Sequence, residues 1–77
     1  MKSYSRVSMF VNGKETAFLE IFKEHNIFQA FEHDSNVFSG SYSGVVAFIE
    51  KWQANKKDLV AFMENAGMNV EYVNPFE

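Results

Sequence analysis

The stretch MFVNGKETAF, residues 9 to 18, constrains the fold more than any other part of the chain. Asn-Gly between two apolar runs is a strong hairpin signal, because both residues tolerate the positive φ of a tight two-residue turn. The same Asn12, with Glu15 three residues later, also reads as a capping box that opens a helix. Downstream, KETAFLEIFKEHN places Phe18, Ile21, Phe22 and His25 at i, i+3, i+4 and i+7, and Leu19 widens the stripe. That spacing describes an amphipathic helix, polar on the side of Glu20, Lys23 and Glu24, with Asn26 where a left-handed C-terminal residue belongs. A hairpin would instead put Thr16, Phe18, Glu20 and Phe22 on one strand face, mixing charge with bulk. On that ground the helix is the adopted reading, with Asn12 as its cap.

The rest of the chain divides more simply. Arg6 to Val11 alternates Val7, Met9 and Val11 against Arg6, Ser8 and Phe10, a strand with two usable faces. IFQAFE (27–32) and VFSGSY (37–42) flank the turn-forming HDSN and read as a hairpin. KKDLVAFMENAG aligns Leu59, Val60, Met63 and Ala66 on one helical face, with Asn55 or Asp58 as cap and Gly67 as stop. MNVEYV (68–73) alternates as a closing strand, and Pro75 forbids much beyond it.

Between them, SGVVAFIEKWQ carries Val45, Ile49 and Trp52 in helical register with Leu59 and Met63. A single helix from 44 to 66 would run about 35 Å at 1.5 Å per residue. It would overhang strands of about 20 Å, so a break is expected near Asn55. The β-branched pair Val45-Val46 keeps a strand open for residues 44–54. The order strand, helix, strand, strand, helix, strand predicts a single α+β domain over 1–77, a ferredoxin-like βαββαβ two-layer sandwich. If VNGK turns a hairpin, the alternative is a β-meander with a C-terminal helix and closing strand.

Seventy-seven residues provide for one core. With no cysteine, the chain has no disulfide, thiolate metal site or thiol nucleophile. No apolar run approaches the roughly 20 residues of a membrane span, and MKSYSRV lacks a secretory signal's apolar stretch. These features predict a cytoplasmic protein with no membrane contact. Seven basic residues against ten acidic leave a net charge of −3, unlike a nonspecific nucleic-acid binder. The anomaly is nine Phe, three Tyr and one Trp, more aromatic bulk than a core of this size covers. Part of it is expected on a surface that meets something else.

Candidates for chemistry are few. His25, His33, Glu24, Glu32 and Asp34 form the one grouping that resembles a metal site, yet the histidines lie eight residues apart across a turn rather than at i, i+4 on one helix. They read as solvated turn residues and a histidine at a helix end. Ser39, Ser41 and Ser43 in SGSYSG suggest a nucleophile or phosphate loop, but Gly40 and Gly44 lead to no lysine at a helix N-terminus, so a flexible strand end is the reading. No catalytic residue, metal or cofactor is predicted.

One face of the first strand carries Arg6, Ser8 and Phe10, and an open sheet presenting aromatics beside basic residues can stack bases. MFVNG resembles the first-strand motif of the RNA-recognition domains, FLEIFKEHN their first helix, and SGVVAFIE is loosely similar to their third-strand motif. The resemblance implies single-stranded nucleic-acid binding on an open sheet. The chain departs from it at Ser43, where a base-contacting Arg or Lys belongs, and at Val45 and Ala47, where stacking aromatics belong. Nucleic acid is therefore the less favoured partner.

Surface aromatics with mixed charges around them also describe the core and rim of a protein interface. The candidate partner-binding residues are Arg6, Phe10, Phe28, Phe31, Phe38, Tyr42 and Tyr72. Exposed strand edges offer strand addition or self-association, and a homodimer would relieve the small core. Phe76, beyond Pro75, either pins the terminus or engages a partner. The expected function is a non-enzymatic module that binds another protein, an inhibitor or accessory factor that occludes a site. The analogy is with phage and mobile-element proteins directed against host defence.

Overall fold

Three two-residue turns determine the architecture, and each begins with a residue in the left-handed region. Asn12 (φ 52°), His25 (φ 56°) and His33 (φ 56°) take this conformation, which Asn and His enter more readily than most residues. In the computed structural model, which describes residues 3–76, these turns join four strands into a meander. The strands are β1 (Ser3–Val11), β2 (Lys14–Glu24), β3 (Ile27–Glu32) and β4 (Ser35–Gly40). Two helices follow, α1 (Tyr42–Ala54) and α2 (Lys57–Asn65), and then β5 (Val70–Val73). β5 returns beside β1, giving one antiparallel five-stranded sheet in the order β4-β3-β2-β1-β5.

The helix expected from residue 14 onward is a strand, so the ferredoxin-like order is replaced by the meander with C-terminal helices and a closing strand. Asn12 and Gly13 both adopt positive φ, 52° and 80°, and close the β1–β2 turn with Val11 opposite Lys14. Neither residue of the supposed capping box caps a helix. Asn12 is clipped to Asn69, donating its N–H to the Asn69 carbonyl (2.7 Å) and accepting the Asn69 N–H on Oδ1 (2.9 Å). Glu15 binds Arg6 and Ser8 across the hairpin. The likeness to RNA-recognition domains fails with it: FLEIFKEHN lies mostly on β2, and SGVVAFIE lies in α1.

Along β2, Ala17, Leu19 and Ile21 alternate with Phe18, Glu20 and Phe22. The first set joins Val7 and Met9 of β1 and Phe28 and Ala30 of β3 on the helix side of the sheet. α1 lays Val45, Ile49 and Trp52 onto this surface, and Val7, Leu19, Ile21, Ala30, Val45 and Ile49 lose all solvent contact. Burial of each Val, Leu or Ile among them supplies about 1.5–3 kcal/mol. Trp52 Nε1–H donates to Glu32 Oε2 (2.9 Å), tying the end of α1 to the end of β3.

The SGSYSG segment is a packing device rather than a flexible strand end. A Cβ at Gly40 or at Gly44 would stand 2.9 Å from Cζ of Phe38, whose ring stacks on Phe48. Ser41 is the N-cap of α1, its Oγ accepting the Gly44 N–H (3.2 Å).

The expected break falls at Asn55-Lys56, where Asn55 closes α1 and Lys56 starts α2 without a side-chain cap. Gly67, at φ 87°, stops α2. Met68 N–H to the Met63 carbonyl and Gly67 N–H to the Glu64 carbonyl complete the paired bonds of that stop. α2 has no buried residue: the stripe of Leu59, Val60, Met63 and Ala66 is at best half-covered, and Phe62 is 72% exposed. No helix among the described residues is long and apolar enough to cross a membrane.

Candidate binding face

The far side of the sheet, opposite α1, has no layer over it among the described residues. Its register brings together Arg6, Ser8 and Phe10 of β1, Phe18, Glu20 and Phe22 of β2, and Gln29 and Phe31 of β3. Phe10, Phe18, Phe22 and Phe31 are all half-buried.

A bulge sets the chemistry of this face. Met9 pairs with Ala17 and Phe10 with Glu15, so Thr16 is an extra residue on β2. Without it Glu15 would point toward the helices; with it Glu15 joins the open face. There its carboxylate accepts from Arg6 Nη2 (2.8 Å) and Nε (3.1 Å) and from Ser8 Oγ (2.5 Å). The Arg6 guanidinium also lies over the Phe18 ring, 3.8 Å from its centroid. These bonds hold the Glu15 carboxyl below its usual range and raise Arg6 further, with the Arg6–Glu15 hydrogen bonds the largest cause of both shifts.

The aromatics meet edge to face. Phe18 abuts His33 with centroids 5.7 Å apart, and Phe22 abuts Phe31 at 5.3 Å. Beside them opens a shallow cavity of about 430 Å³ lined by Glu20, Phe22, Gln29, Phe31, His33 and Asp34.

Of the residues singled out in the sequence, Arg6, Phe10 and Phe31 stand together on this face. Phe28 is buried (5% exposed), Phe38 packs against α1, and Tyr72 faces Trp52 with centroids 6.4 Å apart, so all three lie on the helix side. Burial raises the Tyr72 hydroxyl above its ordinary range. Tyr42 is exposed at the start of α1, edge-on to Phe28. Phe76 pins its terminus beside Tyr4 and Tyr42, with centroids 6.0 Å from each. Phe18 and Phe22 belong to the open face yet were assigned to a helix; the alternation Phe18, Glu20, Phe22 was the signal that marked them.

The histidines do not converge. His25 and His33 occupy turns at opposite ends of β3, separated by about 20 Å at roughly 3.3 Å per residue. No group of three His, Cys, Asp or Glu among the described residues is placed to hold a metal ion. The outer strand β4 is a poor template for strand addition. Val37 is an extra residue in its pairing with β3, and Asn36 Nδ2 donates to the carbonyls of Ala30 (3.3 Å) and Phe38 (3.0 Å).

No known family profile, curated protein or solved structure matches the chain.

Proposed function

We propose that the chain is a small non-enzymatic protein-binding module that seats the open face of its sheet on a larger protein and occludes a site there. The observation that supports this is the row of four phenylalanines, Phe10, Phe18, Phe22 and Phe31, on a sheet face that no described element covers. Aromatic rings held rigid by a strand contribute contact area at low entropic cost, and polar groups around them form the rim of an interface. An inhibitor or accessory factor fits a chain whose distinguishing feature is such a surface, and the phage and mobile-element analogy belongs to that reading.

Stacked nucleic-acid bases would use the same rings, but the charges oppose them. Arg6 is engaged by Glu15, and Glu20, Glu71 and Asp34 share the face or its border. A polyanion would meet carboxylates there.

The test is affinity capture from lysate of the source cell or its host, with and without nuclease, using the wild type and Phe18→Ser/Phe31→Ser. A stoichiometric protein that survives nuclease and is lost with the double variant is the expected result. Nucleic acid in place of that protein, or capture indifferent to the double variant, would contradict the reading.

A further inference from the structure

We infer that the cavity beside Phe22 and Phe31 receives an arginine side chain presented by the docking partner, a reading that rests on the protein-binding function proposed above. The open face already contains one complete example of the arrangement. The Arg6 guanidinium lies over Phe18, 3.8 Å from the ring centroid, and donates along its Nη2–Nε edge to the two oxygens of the Glu15 carboxylate at 2.8 and 3.1 Å.

The neighbouring cavity offers the same two kinds of wall, and Arg6, across the ladder from Glu20 and within its field, directs its hydrogen bonds to Glu15 instead. Phe22 and Phe31 supply aromatic surface, and Glu20 and Asp34 supply carboxylates. Neither carboxylate forms an ion pair or side-chain hydrogen bond among the described residues, and the Gln29 amide adds a further acceptor. The residues lining the cavity include no Lys or Arg.

Charge complementarity thus selects a cationic occupant, and the aromatic walls select a flat one. Guanidinium is planar, weakly hydrated and able to bond a carboxylate along two edges, whereas ammonium is a strongly hydrated point charge. Its stacking on a phenylalanine strengthens as the partner's approach expels water. An arginine at the centre of the partner's contact surface would therefore fill this cavity while its neighbours meet Phe10 and Phe18.

The test uses the full chain, isotope-labelled and followed by amide NMR, titrated with N-acetyl-arginine amide and with its neutral isostere N-acetyl-citrulline amide. Saturable shifts centred on Phe22, Gln29, Phe31 and His33 are expected with the arginine probe, and at least about tenfold weaker binding with citrulline. Glu20→Gln/Asp34→Asn should weaken the arginine probe by about tenfold as well, while the rest of the spectrum keeps its wild-type pattern. Equal response to the two probes, shifts centred elsewhere, or no saturable response would overturn the assignment. A captured partner lost with Phe18→Ser/Phe31→Ser but retained by Glu20→Gln/Asp34→Asn would overturn the arginine pocket alone and leave the docking face standing. A partner indifferent to the phenylalanine variants would sink the docking face, whatever the probes do.

Discussion

The two faces of the same sheet are built from different materials. Toward α1, β1 and β2 present Val7, Met9, Ala17, Leu19 and Ile21, and Val7, Leu19 and Ile21 are fully buried. Away from α1, the same strands present Arg6, Ser8, Phe10, Glu15, Phe18, Glu20 and Phe22. The aliphatic face is a core, closed by shape. The aromatic face combines bulk with charge, and Arg6 has defined neighbours there in Phe18 and Glu15. On the function proposed above, one face is the source of stability and the other the source of recognition.

Substitutions should separate these roles. Ile49→Ala, on the closed side, is expected to lower unfolding free energy by about 2–5 kcal/mol, enough to leave much of so small a domain unfolded in a urea titration. Phe31→Ala, on the open side, should cost about 1 kcal/mol of stability or less, while weakening the captured partner by about 2 kcal/mol or more in a binding titration. If Phe31→Ala unfolds the chain as Ile49→Ala does, the division between the faces breaks down.

The turn that assigns residues to faces provides a smaller effect. Gly13→Ala must hold a Cβ at φ 80°, and about 1–2 kcal/mol of lost stability is expected by thermal melting. The smallest effect concerns Glu15. Its carboxyl is held below its unfolded value by Arg6 and Ser8, so its contribution is present above the unfolded pKa and is lost as pH falls through the folded one. Stability should therefore decline from about pH 4.5 downward, and Glu15→Gln should flatten that decline. Because the pair is open to solvent, added salt should shrink the difference.

Much of this was legible in the residues. The alternation of Arg6 to Val11, the turn within HDSN, the helix break at Asn55 and the stop at Gly67 each rest on a local rule that the tertiary structure leaves intact. β2 was not legible, because both of its faces carry large apolar residues. When Phe18 and Phe22 stand opposite Leu19 and Ile21, a period of two disappears, and the remaining contacts at three and four residues imitate a helix. Asn12 and Glu15 then completed a capping box whose two members serve other partners. The same cause hid Phe18 and Phe22 from the candidate surface, whereas Arg6, Phe10 and Phe31 lay on strands read correctly. Phe28, Phe38 and Tyr72 show the converse: residue type announces an aromatic, but only register assigns it a side.

α2 supplies the comparator for the central claim. Leu59 and Phe62, one turn apart on α2, are a second pair of exposed apolar residues, 53% and 72% accessible. The decisive measurement is the affinity of the captured partner, by calorimetry, for two double variants, one on each apolar surface. Phe18→Ser/Phe31→Ser should abolish measurable binding while circular dichroism retains the folded spectrum, and Leu59→Ser/Phe62→Ser should bind as the wild type does. Binding lost with the helix variant and kept with the sheet variant would contradict the account.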